Sequence, residues 1–329
     1  MLKRIKIQKL FNVYDYDIDL TNSDKTTVKF FTAPNGYGKT TILNFINAAI
    51  HQSYEKLFLV PFQQFELFYE DADSDGIYNY VVTRVDEKSA AVNTDVVQTL
   101  SKKLNSKLQR INGAEETLIE QFSIKQMPDG ALSTEGSTDN TQMFFVSHTC
   151  FYLTDDRKLI QQKDDIRAED ETMLLEEMPV NPYPKDFKDI LNSPEKSKEY
   201  EPRIKVFSDI INRCEFANKQ LEIDKRYGFR FVSDDELHTI LALDQLSSGE
   251  KQMIIQVYEL LFRAQSGTLV MIDEPELSLH MMWQINYLKN LMEIEKLRGF
   301  QCIVATHSPQ IFNSLWSKCV DLFTLSKGE

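Results

Sequence analysis

An α/β fold is what this sequence predicts, and three apolar runs predict it. Leu269-Val270-Met271-Ile272 closes on Asp273-Glu274-Pro275-Glu276, and Ile303-Val304-Ala305-Thr306 closes on His307-Ser308-Pro309. Val28-Lys29-Phe30-Phe31-Thr32 is the third, and it enters a glycine-bearing loop followed by an apolar-periodic helix from Ile42 to Ile50. A strand covered on both faces of a parallel sheet reads as such a short run. Sheets of this kind place their ligands at the carboxyl ends of the strands, so the residues after each run are the first to inspect for chemistry.

Met1-Leu2-Lys3-Arg4-Ile5-Lys6-Ile7 reads as the first strand and lacks the apolar core of a secretory leader. Strand patterns fill Ile5 to Leu20 and Lys29 to Val85. Within them, Phe65-Glu66-Leu67-Phe68-Tyr69 and Tyr78-Asn79-Tyr80-Val81-Val82 form a hairpin about Asp73 to Gly76. These elements make residues 1–90 a first segment. A second, 91–220, is expected to be an inserted, mostly helical region. It holds a helix from Val92 to Ile111, a hairpin from Phe122 to Leu132, a mobile polar stretch from Ser133 to Thr141, and helical patterns from Lys185 to Lys219. Its acidic run, Asp164 to Glu177, reads as solvated, with Met173-Leu174-Leu175 as an apolar docking spot. Pro128, Pro179, Pro182, Pro184, Pro194 and Pro202 exclude a long heptad arm. The third segment, 221–329, opens with strands at Leu221-Glu222-Ile223 and Phe229-Arg230-Phe231-Val232. It then carries a helix from Leu246-Ser247-Ser248-Gly249-Glu250-Lys251-Gln252 to about Arg263, and ends with the acidic and histidine strands.

The loop after Thr32 reads Ala33-Pro34-Asn35-Gly36-Tyr37-Gly38-Lys39-Thr40-Thr41. Strand, glycine turn and helix start together aim backbone N–H groups and a helix N-terminus at a polyphosphate. In that pattern Lys39 reaches the β- and γ-phosphates and Thr40 ligates Mg²⁺, with Asn35, Gly36, Gly38 and Thr41 completing the cradle. Ala33 stands where the usual pattern has a glycine, which is tolerable at negative φ. The plain alternative is a glycine turn, which the Lys-Thr pair argues against. At the acidic strand, Asp273 suits Mg²⁺ directly or through a water, and Glu274 suits an attacking water; an exposed acidic turn is the alternative.

The 329 residues permit one or two domains. Cys150, Cys214, Cys302 and Cys319 have no metal-ligand spacing and read as free thiols in a reducing compartment. No apolar stretch reaches the roughly 18 residues that span a bilayer, so no membrane partner is expected and the cytoplasm is the expected location. Lys and Arg total 37 against 50 acids, a net charge of −13 that opposes nonspecific attraction to DNA. Local basic groups remain at Lys3, Arg4, Lys6 and Lys9, and at Lys102, Lys103, Lys107 and Arg110, the latter read as a solvated helix face. Trp283 and Trp316 read as packing residues, and His51, His148 and His238 have no companions at catalytic spacing.

Leu246 to Gln252 resembles the signature sequence of ABC-type ATPases, and Ala305-Thr306-His307-Ser308-Pro309 resembles their switch histidine. Together with Asp273-Glu274-Pro275-Glu276-Leu277-Ser278-Leu279-His280 and Trp283-Gln284, these motifs are similar to the stand-alone ATPases grouped with the overcoming-lysogenization-defect (OLD), RecF and Rad50 proteins. The resemblance covers about the first 90 residues and those from about 220 onward. It implies an ABC-type ATPase head, a RecA-like core with an amino-terminal antiparallel β-subdomain, plus a helical insertion without a long coiled coil. Two such heads would sandwich two ATP molecules, so the resemblance implies a homodimer or a higher even-numbered oligomer.

On this resemblance Ser247, Gly249 and the following N–H groups bind the γ-phosphate in trans, with Ser248 in place of the commoner glycine. Leu277 to His280 occupy the loop that crosses the dimer interface, His307 contacts the γ-phosphate, and Asn12 to Asp15 lie where relatives touch the base. Met143-Phe144-Phe145-Val146 and the following loop resemble the Mg²⁺-sensing region. Gln161 is the candidate glutamine, Arg157 an alternative polar contact, and a plain surface loop an equal reading. The implied function is an ATP-hydrolysing switch that controls a separate effector, a nuclease or toxin, as related ATPases do in antiphage systems such as Septu, PARIS and retrons. The alternative is a RecF-like ATP-dependent clamp on DNA. Residues 308–329 are too few for the nuclease domain of OLD proteins.

Overall fold

The computed structural model describes residues 1–21, 26–71, 76–85, 102–113, 115–126, 131–136, 150–153, 159–160, 182–313 and 315–327. The chain forms two units, one of Met1–Asp24, Phe31–Cys150 and Val320–Glu329, the other of Lys25–Phe30 and Phe151–Cys319.

The first unit is built on an antiparallel sheet of β1 (Leu2–Leu10), β2 (Tyr14–Asp19), β4 (Gln64–Glu70), β5 (Ile77–Val85), β6 (Lys102–Asn112), β7 (Glu115–Gln126) and β8 (Leu132–Gly136), in the order β2-β1-β4-β5-β6-β7-β8. In β1 the buried residues are Leu2, Ile5, Ile7 and Leu10, and Ile5 and Ile7 stand opposite Leu67 and Phe65 of β4. A near period of two gives the sheet one apolar face. Helix α1 (Lys39–Ile50) buries Ile42, Leu43, Phe45, Ile46 and Ile50, and Phe45 meets Phe62 and Phe65 at ring-centroid distances of 5.0 and 5.3 Å. A short α2 (Glu55–Leu59) follows it. The expected hairpins, β4 with β5 and β7 with β8, are present.

Two expectations for residues 91–220 are corrected. The stretch read as a helix to Ile111 is strand from Lys102 onward, while 92–101 lie outside the described residues. The pattern that decides it is Leu104, Ser106 and Leu108, all buried at alternate positions, with Lys103, Asn105 and Lys107 on the other face. β6 is held on both sides, Tyr80 opposite Leu108 and Phe122 opposite Ser106, and such pairing overrides local propensity. Ser133 to Gly136 likewise form part of β8 rather than a mobile stretch, and Lys125 of β7 bridges Glu135 at 2.6 Å. The described part of this segment is therefore strand as far as Ile160 and helix from Pro182 to Arg213, with no long coiled coil.

The second unit holds the parallel pair β14 (Leu269–Asp273) and β15 (Gln301–Thr306), in register from Leu269 opposite Gln301 to Asp273 opposite Ala305. Their sheet runs β10-β9-β14-β15-β3-β16, where β3 is Val28–Thr32, β9 Cys150–Leu153, β10 Leu159–Ile160 and β16 Cys319–Asp321. All residues of β14 and β15 are buried, as their unbroken apolar runs require. Helices α3 (Pro182–Asn192) and α4 (Pro194–Arg213) pack with the small antiparallel sheet β11 (Lys219–Asp224), β12 (Gly228–Ser233) and β13 (Ile240–Leu241). Their core is aromatic: Phe187 and Phe207 meet each other, and each also meets Phe229, Tyr258 and Phe262. Helix α5 (Ser248–Tyr258) continues into a π-helical turn, Glu259–Arg263, and α6 (Met281–Arg298) lies between β14 and β15 in sequence. A last short α7 (Leu322–Leu325) belongs to the first unit. Among the described residues no helix is long and apolar enough to cross a membrane.

Candidate functional site

In the first unit the loop after β3 has the shape of a phosphate cradle. Gly36 and Gly38 adopt φ of 89° and 86°, the left-handed region that L side chains resist, and Ala33 is not among the positive-φ residues. Gly38 caps α1, and no side chain caps its first turn, so the helix opens with backbone donors and the positive end of its dipole. A methyl on Gly38 would come within 2.7 Å of the Leu10 side chain, so β1 also holds the loop close. Lys39 is buried and donates from Nζ to the Ala33 carbonyl at 3.0 Å, folded over its own loop. Asn35 and Gly36 are exposed, Thr40 and Thr41 half-buried.

Aromatic rings surround this loop. Tyr16 donates its hydroxyl to the Tyr37 carbonyl at 2.8 Å, Tyr14 packs on Tyr37 at 5.2 Å, and Phe323 meets Tyr37 edge-on at 5.2 Å. Burial pushes the Tyr16 phenol well above its usual range, with Tyr14 and Tyr37 adding to it. Tyr14 lies within the expected base-contacting segment Asn12 to Asp15, whose turn carries positive φ at Phe11 and Asn12. The contacts of Tyr16 and Tyr37 were missed in the sequence because they depend on packing between β2 and the loop.

In the second unit the acidic and histidine strands end side by side. Asp273 is 2% exposed at the last position of β14. Glu274 leaves the strand with φ of 42° and donates its N–H to the Ala305 carbonyl at 2.8 Å. That turn brings Glu274 Oε1 to 3.1 Å from His307 Nε2, so the two residues expected to handle water and phosphate are in contact. Glu276 reaches across to the same loop, where its Oε1 accepts from Thr306 Oγ1, His307 N and Ser308 N at 2.7, 2.7 and 3.1 Å. Ser308 Oγ and Gln284 Oε1 are 2.8 Å apart, and Gln284 Nε2 donates to the Leu279 carbonyl at 3.0 Å.

Helix α5, where the signature is expected, begins with a closed capping box. Ser247 Oγ accepts from Glu250 N at 3.3 Å, and Glu250 Oε2 accepts from Ser247 N at 2.8 Å. Glu250 is fixed in turn by Lys219 Nζ at 2.9 Å. Gly249 is buried against the loop after β14: a Cβ there would lie 2.3 Å from the Ser278 carbonyl oxygen. Ser247 and Ser248 stay exposed. Leu277, Ser278 and His280 are exposed, and His280 caps α6 by accepting from Met282 N at 3.3 Å. Trp283 is a packing residue, 5.2 Å from Phe216 and donating to the Cys214 carbonyl at 2.6 Å. Trp316 meets Phe312 at 4.9 Å but remains 62% exposed. Gln161 and Arg157 lie outside the described residues.

A family model described as "AAA domain, putative AbiEii toxin, Type IV TA system" matches residues 137–313, more than half of the chain. The chain belongs to this family. Within its curated relatives, the AAA-domain chain is 32% identical over 106 residues to the "Retron Ec83 probable ATPase" of Escherichia coli. That match covers 29% of this chain and 19% of the relative, so the chain spans about a fifth of the length of the protein it resembles. Solved structures that align with this AAA-domain chain include SMC heads. An SmcHead bound to the C-winged helix domain of ScpA is 12% identical, with 94% of this chain and 90% of that one covered and a TM-score of 0.47. The SMC head domain from Thermotoga maritima is 13% identical, with the same coverage and a TM-score of 0.41. The AAA-domain chain is an α/β protein that combines a parallel strand pair with an antiparallel sheet.

Proposed function

We propose that this chain binds and hydrolyses ATP, closes as a dimer on ATP, and by that closure controls a separate effector, a nuclease or toxin, in antiphage defence. The observation that carries the reading is the contact of Glu274 with His307 at the ends of two paired strands, beside the buried Asp273. The family and the retron relative support an ATPase and a defence setting.

The residues present fit the groups required. The glycine turn at Gly36 and Gly38 leaves backbone open to a polyphosphate, and Thr40 and Asp273 offer the hard oxygen donors that Mg²⁺ takes. When bound, Mg²⁺ would neutralise charge on the phosphate oxygens. Phosphoryl transfer is chiefly positioning and charge stabilisation. Lys39 holds the β- and γ-phosphates, Ser247 and Gly249 of a second copy present α5's N-terminus to the γ-phosphate, and His307 contacts that phosphate. Glu274 orients the water and takes its proton. The aromatic group of Tyr14 and Tyr37 supplies an apolar surface for the base.

The clamp reading has less support. Of the basic residues at the start of the chain, Lys3 bridges Glu70 at 2.6 Å, Lys9 bridges Asp15 at 2.6 Å and Arg4 pairs with Asp17, so their charge is locally balanced. Phosphate release by the purified protein with ATP and Mg²⁺, and size-exclusion chromatography with light scattering, test the proposal. Glu274→Gln should slow turnover by roughly 10² to 10⁴ and accumulate an ATP-bound dimer. Turnover equal to wild type would remove Glu274 from its role, and a protein that stays monomeric with ATP would remove the closure.

A further inference from the structure

The sequence names Glu276 only as part of a motif, and the hydrolytic roles above leave it unused. Its carboxylate nevertheless accepts three hydrogen bonds at the strand ends. One oxygen, Oε1, receives the Thr306 hydroxyl and the N–H groups of both His307 and Ser308. Two successive backbone N–H groups converging on one oxygen make an anion-binding concavity, here filled by the chain's own carboxylate. Thr306 Oγ1 also accepts from Ser308 N at 3.0 Å, so the loop is fixed from two directions. The backbone of Glu276 is tied as well, its carbonyl accepting from Gln284 Nε2 at 3.4 Å, while the other end of Gln284 meets Ser308.

We propose that Glu276 is a positioning residue, which clamps the loop after β15 so that His307 is held against Glu274. The inference rests on the hydrolytic reading above. The geometry separates two tasks along one short segment. Glu274 faces the histidine side chain, while Glu276, two residues on, grips the histidine's backbone. Hydrogen bonds to an ionised acceptor are roughly twice as strong as neutral ones, which suits a carboxylate to holding a loop that carries a working side chain. An imidazole displaced by about 1 Å is enough to cost on the order of a hundredfold in rate.

The test uses the full chain with Glu276→Ala, Glu276→Gln, His307→Ala and the double variant Glu276→Ala/His307→Ala. Glu276→Ala should lower kcat by roughly a hundredfold, while ATP affinity, read by calorimetry, changes less than about threefold. Glu276→Gln keeps a carbonyl acceptor without the charge and should fall between the two. Because the carboxylate acts through His307, the double variant should be no slower than His307→Ala alone. Multiplying losses would overturn the proposal. A second readout needs no turnover: hydrogen exchange at the His307 and Ser308 amides should quicken at least tenfold in Glu276→Ala, with exchange in the core of β14 unchanged. Unchanged exchange at those two amides overturns the clamp. If the wild-type protein releases no phosphate, the hydrolytic reading fails by itself, and the exchange readout still decides whether Glu276 holds the loop.

Discussion

Gly249→Ala is the perturbation whose size can be worked directly from distances. A methyl built on Gly249 lies 2.3 Å from the Ser278 carbonyl oxygen and 3.3 Å from Trp283 Cζ3. The first distance is far inside any ordinary contact, and the obstacle is backbone rather than the end of a flexible chain. Ser278 has little room to yield, since it already sits at φ of 64°, and the Trp283 indole beside it is anchored to the Cys214 carbonyl. Overpacking of this kind costs about 1 to 3 kcal/mol. For a unit of this size that corresponds to roughly 2 to 12 °C in Tm, readable by differential scanning fluorimetry. Separation of α5's N-terminus from the loop should also lower ATP turnover more than it lowers ATP affinity, because in the proposal this helix meets the nucleotide of a second copy. A variant with wild-type Tm and wild-type turnover would refute the packing argument and the role of Gly249 together.

Lys39→Ala should weaken ATP binding by roughly ten- to a hundredfold, the loss expected for a charged hydrogen-bonding partner, as read by calorimetry or a fluorescent nucleotide. Gly36→Ala contrasts with Gly249→Ala: nothing lies within 4 Å of its added methyl, but φ of 89° should still cost about 1 to 2 kcal/mol, with the loss falling on nucleotide binding. Burial pushes the Glu259 carboxyl up to about 7, the Tyr183 hydrogen bond and Arg263 opposing and Asp186 adding to the rise. The folded chain therefore binds this proton more tightly than the unfolded one, and stability falls as pH climbs from about 4.5 to 7. Glu259→Gln should flatten that fall, which urea unfolding at pH 5 and pH 8 would show as a selective gain at the higher pH.

The sequence revealed strands whose apolar residues run or alternate cleanly and concealed β6, where they do not. β14 and β15 are buried along their whole length, so their apolar runs alone define them and place Asp273 and His307 at their ends. The turn before Lys39 was legible because its glycines announce it, and Gly36 and Gly38 do take positive φ. β6 was not, since its buried face includes Ser106, which breaks the apolar alternation, while Lys103 and Lys107 fall at a spacing that also suits a helix. Only the strands on either side, β5 and β7, select the extended form. The task of Glu276 was hidden for a related reason. Its three donors lie 30 to 32 positions away, and no local pattern announces a carboxylate that serves a distant backbone.

The placement of β3 beside β15 bears on how the chain acquires its structure during synthesis. The Thr27 carbonyl accepts from Cys302 N at 3.0 Å, and the Thr27 hydroxyl contacts Glu295 and the Phe300 carbonyl, residues made some 270 positions later. A nascent chain must hold Val28 and Phe30 uncovered until Ile303 and its neighbours emerge, and pairings of such long sequence separation form slowly. The antiparallel sheet of the first unit, by contrast, is complete once residue 136 has been made. The phosphate loop is therefore synthesised early but joined by β3 to a sheet that closes late, so the ribosome-bound intermediate exposes an unpaired apolar edge, the surface that chaperones shield.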